Sequence, residues 1–270
     1  MHGIRSRAPH PNPPPQRGED VTGHASDTPS PSIGESLYSP LPLDRGGRGG
    51  GVVTRRYRGV SLEKRQESRR ARLVEAGLSV IGTQGYHAAT VRTICAEAGL
   101  TERYFYESFD NREALLTAVY EHCIQKLTDI ILTAIRAVPS PAPDTLSRAG
   151  LTAFFEALQR DPRIGRILFI EILGVSETVD DLYRRTTLNF TQLVLQVSRP
   201  LYPGGRIPVQ DEELVATGLV GAMIMIATRW ILGGYDKPLA VVVQSSIDIF
   251  TAVNAQLIAK AQRSATESSP

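Results

Sequence analysis

Residues 90–115, TVRTICAEAGLTERYFYESFDNREAL, decide the fold. Val91, Ile94, Cys95 and Ala98 recur at i, i+3, i+4 and i+7, so a short helix with one narrow apolar face is expected. Thr90 stands at its N-cap position and Gly99 where a left-handed residue would close it. Leu100 is the apolar plug of a turn of about three residues, and Thr101 can cap the next helix. There Phe105 and Phe109 lie four apart and point inward, which leaves Arg103, Tyr104, Tyr106, Glu107 and Ser108 on the other faces. Asp110, with Glu113 three residues on, opens a third helix through Leu115, Val119 and Tyr120, with Arg112 on the exposed side of its first turn. Two short helices joined by a glycine turn, the second bearing Arg and two Tyr, have the layout of a DNA-reading helix-turn-helix.

The preceding segment completes a three-helix unit. Leu73, Ala76, Val80 and Ile81 form an apolar stripe that ends at Gly85, with Tyr86 packed beneath. The run LVEAGLSVIGTQGYHAATVRTICAEAGLTERYFYESFDNREAL resembles the N-terminal domain of the tetracycline-repressor (TetR/AcrR) family of bacterial transcription regulators, over about residues 69–115. The Gly-aromatic pair, the Thr opening the second helix, the Ala-Gly turn, the Tyr-x-x-Phe and the x-Glu-x-Leu fall at the family's spacing. Gly77 stands where the family usually has Ala, which should cost about 1 kcal/mol of helix stability. Arg112 replaces the usual Lys and keeps its charge.

The resemblance implies roles for particular residues. Arg92, Arg103 and Tyr104 match positions that face the major groove, and Arg92 is the candidate guanine contact. Tyr106 and Arg112 match the backbone clamps, and Thr90 and Thr93 could add hydroxyl contacts. Thr101, Glu102 and Ser108 complete the candidate DNA-binding surface.

The charge distribution points the same way. The formal net charge of the 270 residues is only +2, yet Arg45, Arg48, Arg55, Arg56, Arg58, Lys64, Arg65, Arg69, Arg70 and Arg72 face only Glu63 and Glu67 between residues 45 and 72. The positive charge thus sits beside the helix-turn-helix, as a polyanionic partner requires. Residues 1–62, with APHPNPPPQRGED, TPSPS, SPLPLD and GGRGGG, read as a disordered Pro/Gly/Arg-rich extension. It is a DNA-touching arm, a solubilising tail, or the product of an upstream start. The leading MHGIRSRAPHPNPPP has no apolar signal region, which implies a cytoplasmic location.

Other chemistry is poorly represented. Cys95 and Cys123 read as small buried hydrophobes, and the five His are scattered without metal-ligand spacing, so neither metal nor cofactor is expected. GGRGGG lacks the trailing Gly-Lys-Ser/Thr of a phosphate loop, no Gly-x-Ser-x-Gly elbow occurs, and no catalytic set appears.

From residue 112 onward the pattern is helical only, with pieces at 111–138, 144–159, 162–173, 178–199, 210–232 and 238–262. The fold class is therefore all-α: a helix-turn-helix domain over 63–112, a helical effector-binding and dimerisation domain over 113–262, and a disordered tail over 263–270. The uncharged run 214–228, roughly 15 residues, falls short of the ~20 that span a bilayer, and no membrane is expected. Its Ala216, Gly218, Gly221 and Ala222 would admit a partner helix. In the family the last two helices pair into a four-helix dimer interface, and two heads a helical turn apart read a palindrome.

The family also encloses an effector in the middle of this domain. Phe155, Phe169, Glu171, Thr187, Phe190, Met223 and Arg229 are the candidate lining residues. The competing reading is that the aromatic residues and Met223 fill the core, Glu171 pairs with a neighbouring Arg, and the other polar residues face solvent. The expected function is a dimeric DNA-binding regulator, most often in this family a repressor released from a palindromic double-stranded operator by a small-molecule effector of unknown identity. A constitutive DNA-binding dimer without effector and a ligand-dependent activator are the alternatives.

Overall fold

A computed structural model describes the backbone of residues 54–267 and the side chains of residues 61–263 apart from Pro203. Among the described residues there are nine α-helices and no strand. The reading head comprises α1 (Thr54–Gln84), α2 (Val91–Ala98), α3 (Glu102–Tyr106) and the start of α4 (Arg112–Arg136). The rest of α4, with α5 (Pro143–Arg160), α6 (Pro162–Arg166), α7 (Glu177–Ser198), α8 (Glu212–Leu232) and α9 (Leu239–Glu267), forms the bundle.

The short head helices are defined by their ends. Thr93 N–H donates to Thr90 Oγ1 at 3.1 Å while Thr90 N–H donates to Thr93 Oγ1 at 2.9 Å, a reciprocal cap on α2. Gly99 (φ 62°, ψ 39°) is left-handed as the sequence predicts, and Leu100 N–H donates back to Cys95 O at 2.9 Å. Thr101 has the extended N-cap backbone but its side chain makes no cap bond. The expected Asp110–Glu113 box does not form. The cap of α4 is Asn111, whose Oδ1 accepts from Ala114 N–H at 2.8 Å, one residue further on.

Two boundaries differ from expectation. The helix α1 begins at Thr54, so the extension expected to be disordered over 1–62 gives way to helix nine residues earlier; residues 1–53 lie outside the described residues. No proline follows Pro42 in this stretch, and Leu62, Glu63, Lys64, Arg65 and Gln66 are all good helix formers. At the other end α9 continues to Glu267, across most of the tail expected over 263–270. The single helix expected over 162–173 is also divided: α6 passes into a five-residue π-helical turn, Ile167–Glu171.

One apolar core runs from head to bundle. Leu73, Leu78, Ile81, Phe105, Leu115 and Leu116 fill the head, and Phe154, Phe155, Leu158 and Ile164 continue it. Gly77 is a close-approach site: a Cβ there would lie 2.8 Å from Val119 Cγ2, so its low helix propensity is offset by tight α1–α4 packing. Gly82 does the same against α6, where a Cβ would lie 2.6 Å from Arg163 Cβ. Cys95 and Cys123 are both buried, and burial pushes the Cys123 thiol up to about 12.

Candidate functional site

The exposed face of the head carries the candidate DNA-binding residues. Arg92 and Thr93 on α2, and Glu102, Arg103 and Tyr106 on α3, point to solvent, with Tyr106 59% exposed. Phe105, fully buried, and Phe109, with ring centroids 5.8 Å apart, seat α3 on the core. Arg92 makes no hydrogen bond or ion pair to a described residue, whereas Arg103 Nε donates to Glu107 Oε1 at 3.0 Å.

Part of the basic cluster turns inward to brace this face. The Arg69 guanidinium lies 4.5 Å over the Tyr104 ring and 3.7 Å from Glu107, so α1 grips α3 directly. Arg72 Nη2 donates to Ala98 O at 2.5 Å and reaches Gly99 O at 3.4 Å, satisfying carbonyls that the end of α2 leaves open. Arg70 sits 4.9 Å over the Phe109 ring. These three are structural cations of the head as well as part of its field.

Arg112 differs from expectation. It is half-buried, and its Nη1 donates to Ala89 O at 2.5 Å and Tyr86 O at 3.3 Å, with the guanidinium 5.2 Å over the Tyr86 ring. Instead of standing exposed in the first turn of α4, it staples the α1–α2 connection. These part-buried carbonyls have no helical partner, and one guanidinium satisfies both.

In the bundle, α4, α5, α7, α8 and α9 leave a cleft of about 110 Å³, walled by Ile131, Leu151, Phe154, Leu193, Val220 and Phe250 among others. A second cleft of about 40 Å³ shares Phe154, Phe190, Val220 and Met223 with the first, so the two adjoin. Its far side is formed by Tyr120, Ile124, Thr186 and Thr187 together with Leu168 and Phe169 of the π turn. No Asp, Glu, Lys or Arg lines either space.

The same π turn reaches the head. Arg166, just before it, donates from Nε to Glu171 Oε1 at 2.8 Å and from Nη1 to Thr83 O at 2.8 Å. Glu171, at its end, accepts Tyr86 N–H on Oε2 at 2.7 Å. Gly85 (φ +89°) lies beneath this pair, and a Cβ there would sit 3.1 Å from Arg166 Nη2. The carboxylate therefore meets a backbone donor that the end of α1 leaves free. Cleft wall and head anchor are one short segment.

Residues 73–119 match the family of bacterial regulatory proteins called the tetR family. Residues 73–119, from α1 to the first part of α4, are therefore a tetR-family domain. The chain is 26% identical over 167 residues to the HTH-type transcriptional regulator BetI of Vibrio parahaemolyticus, covering 62% of this chain and 81% of that protein. It is 25% identical over 175 residues to the HTH-type transcriptional activator FasR of Mycolicibacterium smegmatis, covering 64% of this chain and 76% of that one. The transcriptional regulator FadR from Bacillus subtilis, solved in complex with stearoyl-CoA, superposes with a TM-score of 0.60 at 16% identity over 67% of this chain and 96% of its own. That last similarity is one of fold. With its tetR-family domain, the chain is a transcriptional regulator.

Within the bundle, the residues expected to line an effector site separate into two groups. Phe169, Thr187, Phe190 and Met223 do line the clefts. Phe155 does not: it is fully buried between Phe154 at 4.9 Å and Trp230 at 6.0 Å, in solid core. Glu171 pairs with Arg166 at the head junction, and Arg229 is exposed near the end of α8. The expectation missed Tyr202 and Asn254, both on the larger cleft. Asn254 carried a signal, as a polar residue on the apolar stripe Val243, Ile247, Phe250 and Leu257 of α9; Tyr202 sits in a turn segment with no periodicity to read.

The last two helices keep much apolar surface exposed. On α8, Leu214, Met225 and Leu232 are each 68–69% exposed, and Gly218 and Gly221 have open space where a Cβ would be. Ala216, expected on the same face, is buried against the protein's own core. By length and composition both α8 and α9 could cross a membrane, with mean hydropathies of 1.7 and 1.3; the spanning length exceeds the estimate from the uncharged run alone because the helix includes its charged ends.

Proposed function

We propose that this regulator is a homodimeric, ligand-responsive repressor in the cytoplasm that reads a palindromic operator through α2 and α3 and leaves it when an apolar chain enters the bundle. The observation that carries this reading is the π turn, whose Leu168 and Phe169 line the smaller cleft while Arg166 and Glu171 at its ends hold Thr83 and Tyr86 of the head. An occupant pressing on that wall acts on a segment that sets where the head sits. The mechanism is population shift: ligand favours bundle states in which the two heads no longer match successive major grooves.

The lining argues for the ligand class. With no charged side chain to meet an ion, the adjoining clefts favour a flexible hydrocarbon. The stearoyl-CoA bound by the B. subtilis FadR, a protein of the same fold, is consistent with an acyl chain here. Dimerisation accounts for the apolar faces of α8 and α9, where a second copy would cover Leu214, Met225, Leu232, Val241 and Ile249. On the DNA side Arg92, Tyr104 and Tyr106 are the reading and clamping candidates, with Thr90, Thr93, Thr101, Glu102, Arg103 and Ser108 around them.

Similarity to FasR, named an activator, supports a second reading in which ligand promotes DNA binding. Footprinting the purified protein on DNA flanking its own gene, with and without long-chain acyl-CoA, separates the readings. Release by ligand supports the repressor, gain of binding supports the activator, and identical footprints across an acyl series would leave a constitutive DNA-binding dimer.

A further inference from the structure

The larger cleft is apolar except for Ser198 at the end of α7 and one corner, where the first turns of α5, the segment after α7 and the middle of α9 meet. Ser147, Tyr202 and Asn254 line it there. Asn254 is 8% exposed, and its amide nitrogen donates to Asp144 Oδ1 at 3.1 Å and Ser147 Oγ at 3.3 Å. Tyr202 is 6% exposed and makes no side-chain hydrogen bond to a described residue. No buried side-chain N or O atom among the described residues is sealed in without a partner, so this hydroxyl opens onto unfilled space. Burial and, behind it, the Asp144 charge push the Tyr202 pKa up, which keeps the phenol protonated and able to donate at neutral pH.

The corner therefore offers hydrogen bonds without positive charge. A carboxylate placed there would lose its water, meet no Lys or Arg, and face Asp144 across Asn254; because Asp144 is exposed, desolvation is the larger cost and repulsion the smaller. An uncharged oxygen has no such penalty and can accept from Tyr202. We propose that this corner is a head-group subsite for the uncharged oxygen of an ester, thioester or alcohol on the effector chain, and that it discriminates against the free carboxylate of the same chain. The proposal rests on the reading that the cleft holds an apolar chain.

Calorimetric titration of the full-length chain at pH 7.5 with methyl decanoate, 1-decanol, sodium decanoate and decane tests it. The two neutral oxygenated probes should bind about tenfold or more tighter than decanoate. Tyr202→Phe should weaken both neutral probes severalfold while leaving decane binding and the thermal midpoint unchanged. Asp144→Asn should raise decanoate affinity about two- to threefold, as a screened charge allows. Decanoate binding as tightly as its methyl ester, or neutral probes indifferent to Tyr202→Phe, would overturn the subsite while leaving an apolar-chain cleft in place. Failure of all four probes, decane included, would overturn the apolar-chain reading and the subsite with it.

Discussion

The head and the middle of the bundle pack differently. In the head, α1 is met by α4 at Gly77 and by α6 at Gly82 so closely that neither has room for a Cβ, and cations from α1 and α4 tie off the loose carbonyls of Tyr86, Ala89 and Ala98. The bundle is uneven: a Cβ on Gly165 of α6 would lie 2.6 Å from Ile231 Cδ1, yet beside the cleft Gly150 has its nearest neighbour at an ordinary 3.4 Å and the middle of the domain is left partly empty. A DNA-reading face needs one geometry held rigidly, whereas a site for a flexible chain needs walls that can move. The π turn joins the two regimes, lining the gap on one side and hydrogen-bonded to the rigid head on the other.

Removing a head anchor should do the most damage. Phe105→Ala is expected to cost about 3–5 kcal/mol in urea unfolding and abolish DNA binding, because the ring is fully enclosed. Phe190→Ala, half-buried beside the clefts, should cost no more than about half as much, since it has fewer atoms around it to lose. Equal costs would break the contrast.

Arg112→Ala comes next. With its guanidinium committed to Ala89 and Tyr86 carbonyls, it should lower stability by about 1.5–3 kcal/mol. DNA binding should weaken without a change in the salt slope. A slope that drops by about one unit would instead return Arg112 to the phosphate backbone.

Arg92→Ala tests the reading surface without touching the scaffold. It should leave the unfolding midpoint in place yet cost about 1–3 kcal/mol on the cognate site and relax preference at one symmetric base position. Equal loss on cognate and random DNA would reassign it to the backbone.

A matched pair of glycines sharpens the comparison further. Gly77→Ala gains about 1 kcal/mol of helix propensity but drives a methyl to 2.8 Å from Val119, so a net loss of about 1 kcal/mol is expected. Gly150→Ala meets no such contact and should gain up to about 1 kcal/mol. Thermal unfolding of the two variants should shift in opposite directions.

The smallest effect concerns acid. The Arg163 hydrogen bond holds Asp161 below the usual carboxylate range, with burial opposing. A lowered folded-state pKa means a contribution present above the unfolded value, near pH 4, and lost as pH falls through the folded one. Asp161→Asn should therefore destabilise at pH 7 and converge with the parent once pH has fallen through the lowered folded-state value; a gap that persists in acid would show that the side chain acts through shape.

The sequence by itself determined the head. Thr90, Gly99, Gly85 and the Phe105–Phe109 spacing act within a few residues of themselves, through caps, left-handed turns and helical periodicity, so their consequences can be read without knowing the rest of the chain. The all-α class and most bundle helix bounds were legible for the same reason. Tertiary structure alone decided what lies between helices. In sequence Arg69 and Arg72 look like part of one basic field and Arg112 like an exposed backbone clamp, yet each grips a partner 23 or more residues away. Glu171 meets Tyr86 across 85 residues, and Asn254 meets Asp144 across 110. Periodicity tells which face of a helix is apolar but not whether that face meets a solid core, as at Phe155, or a gap, as at Phe169, because a cavity is a property of the distances between helices rather than of any one of them.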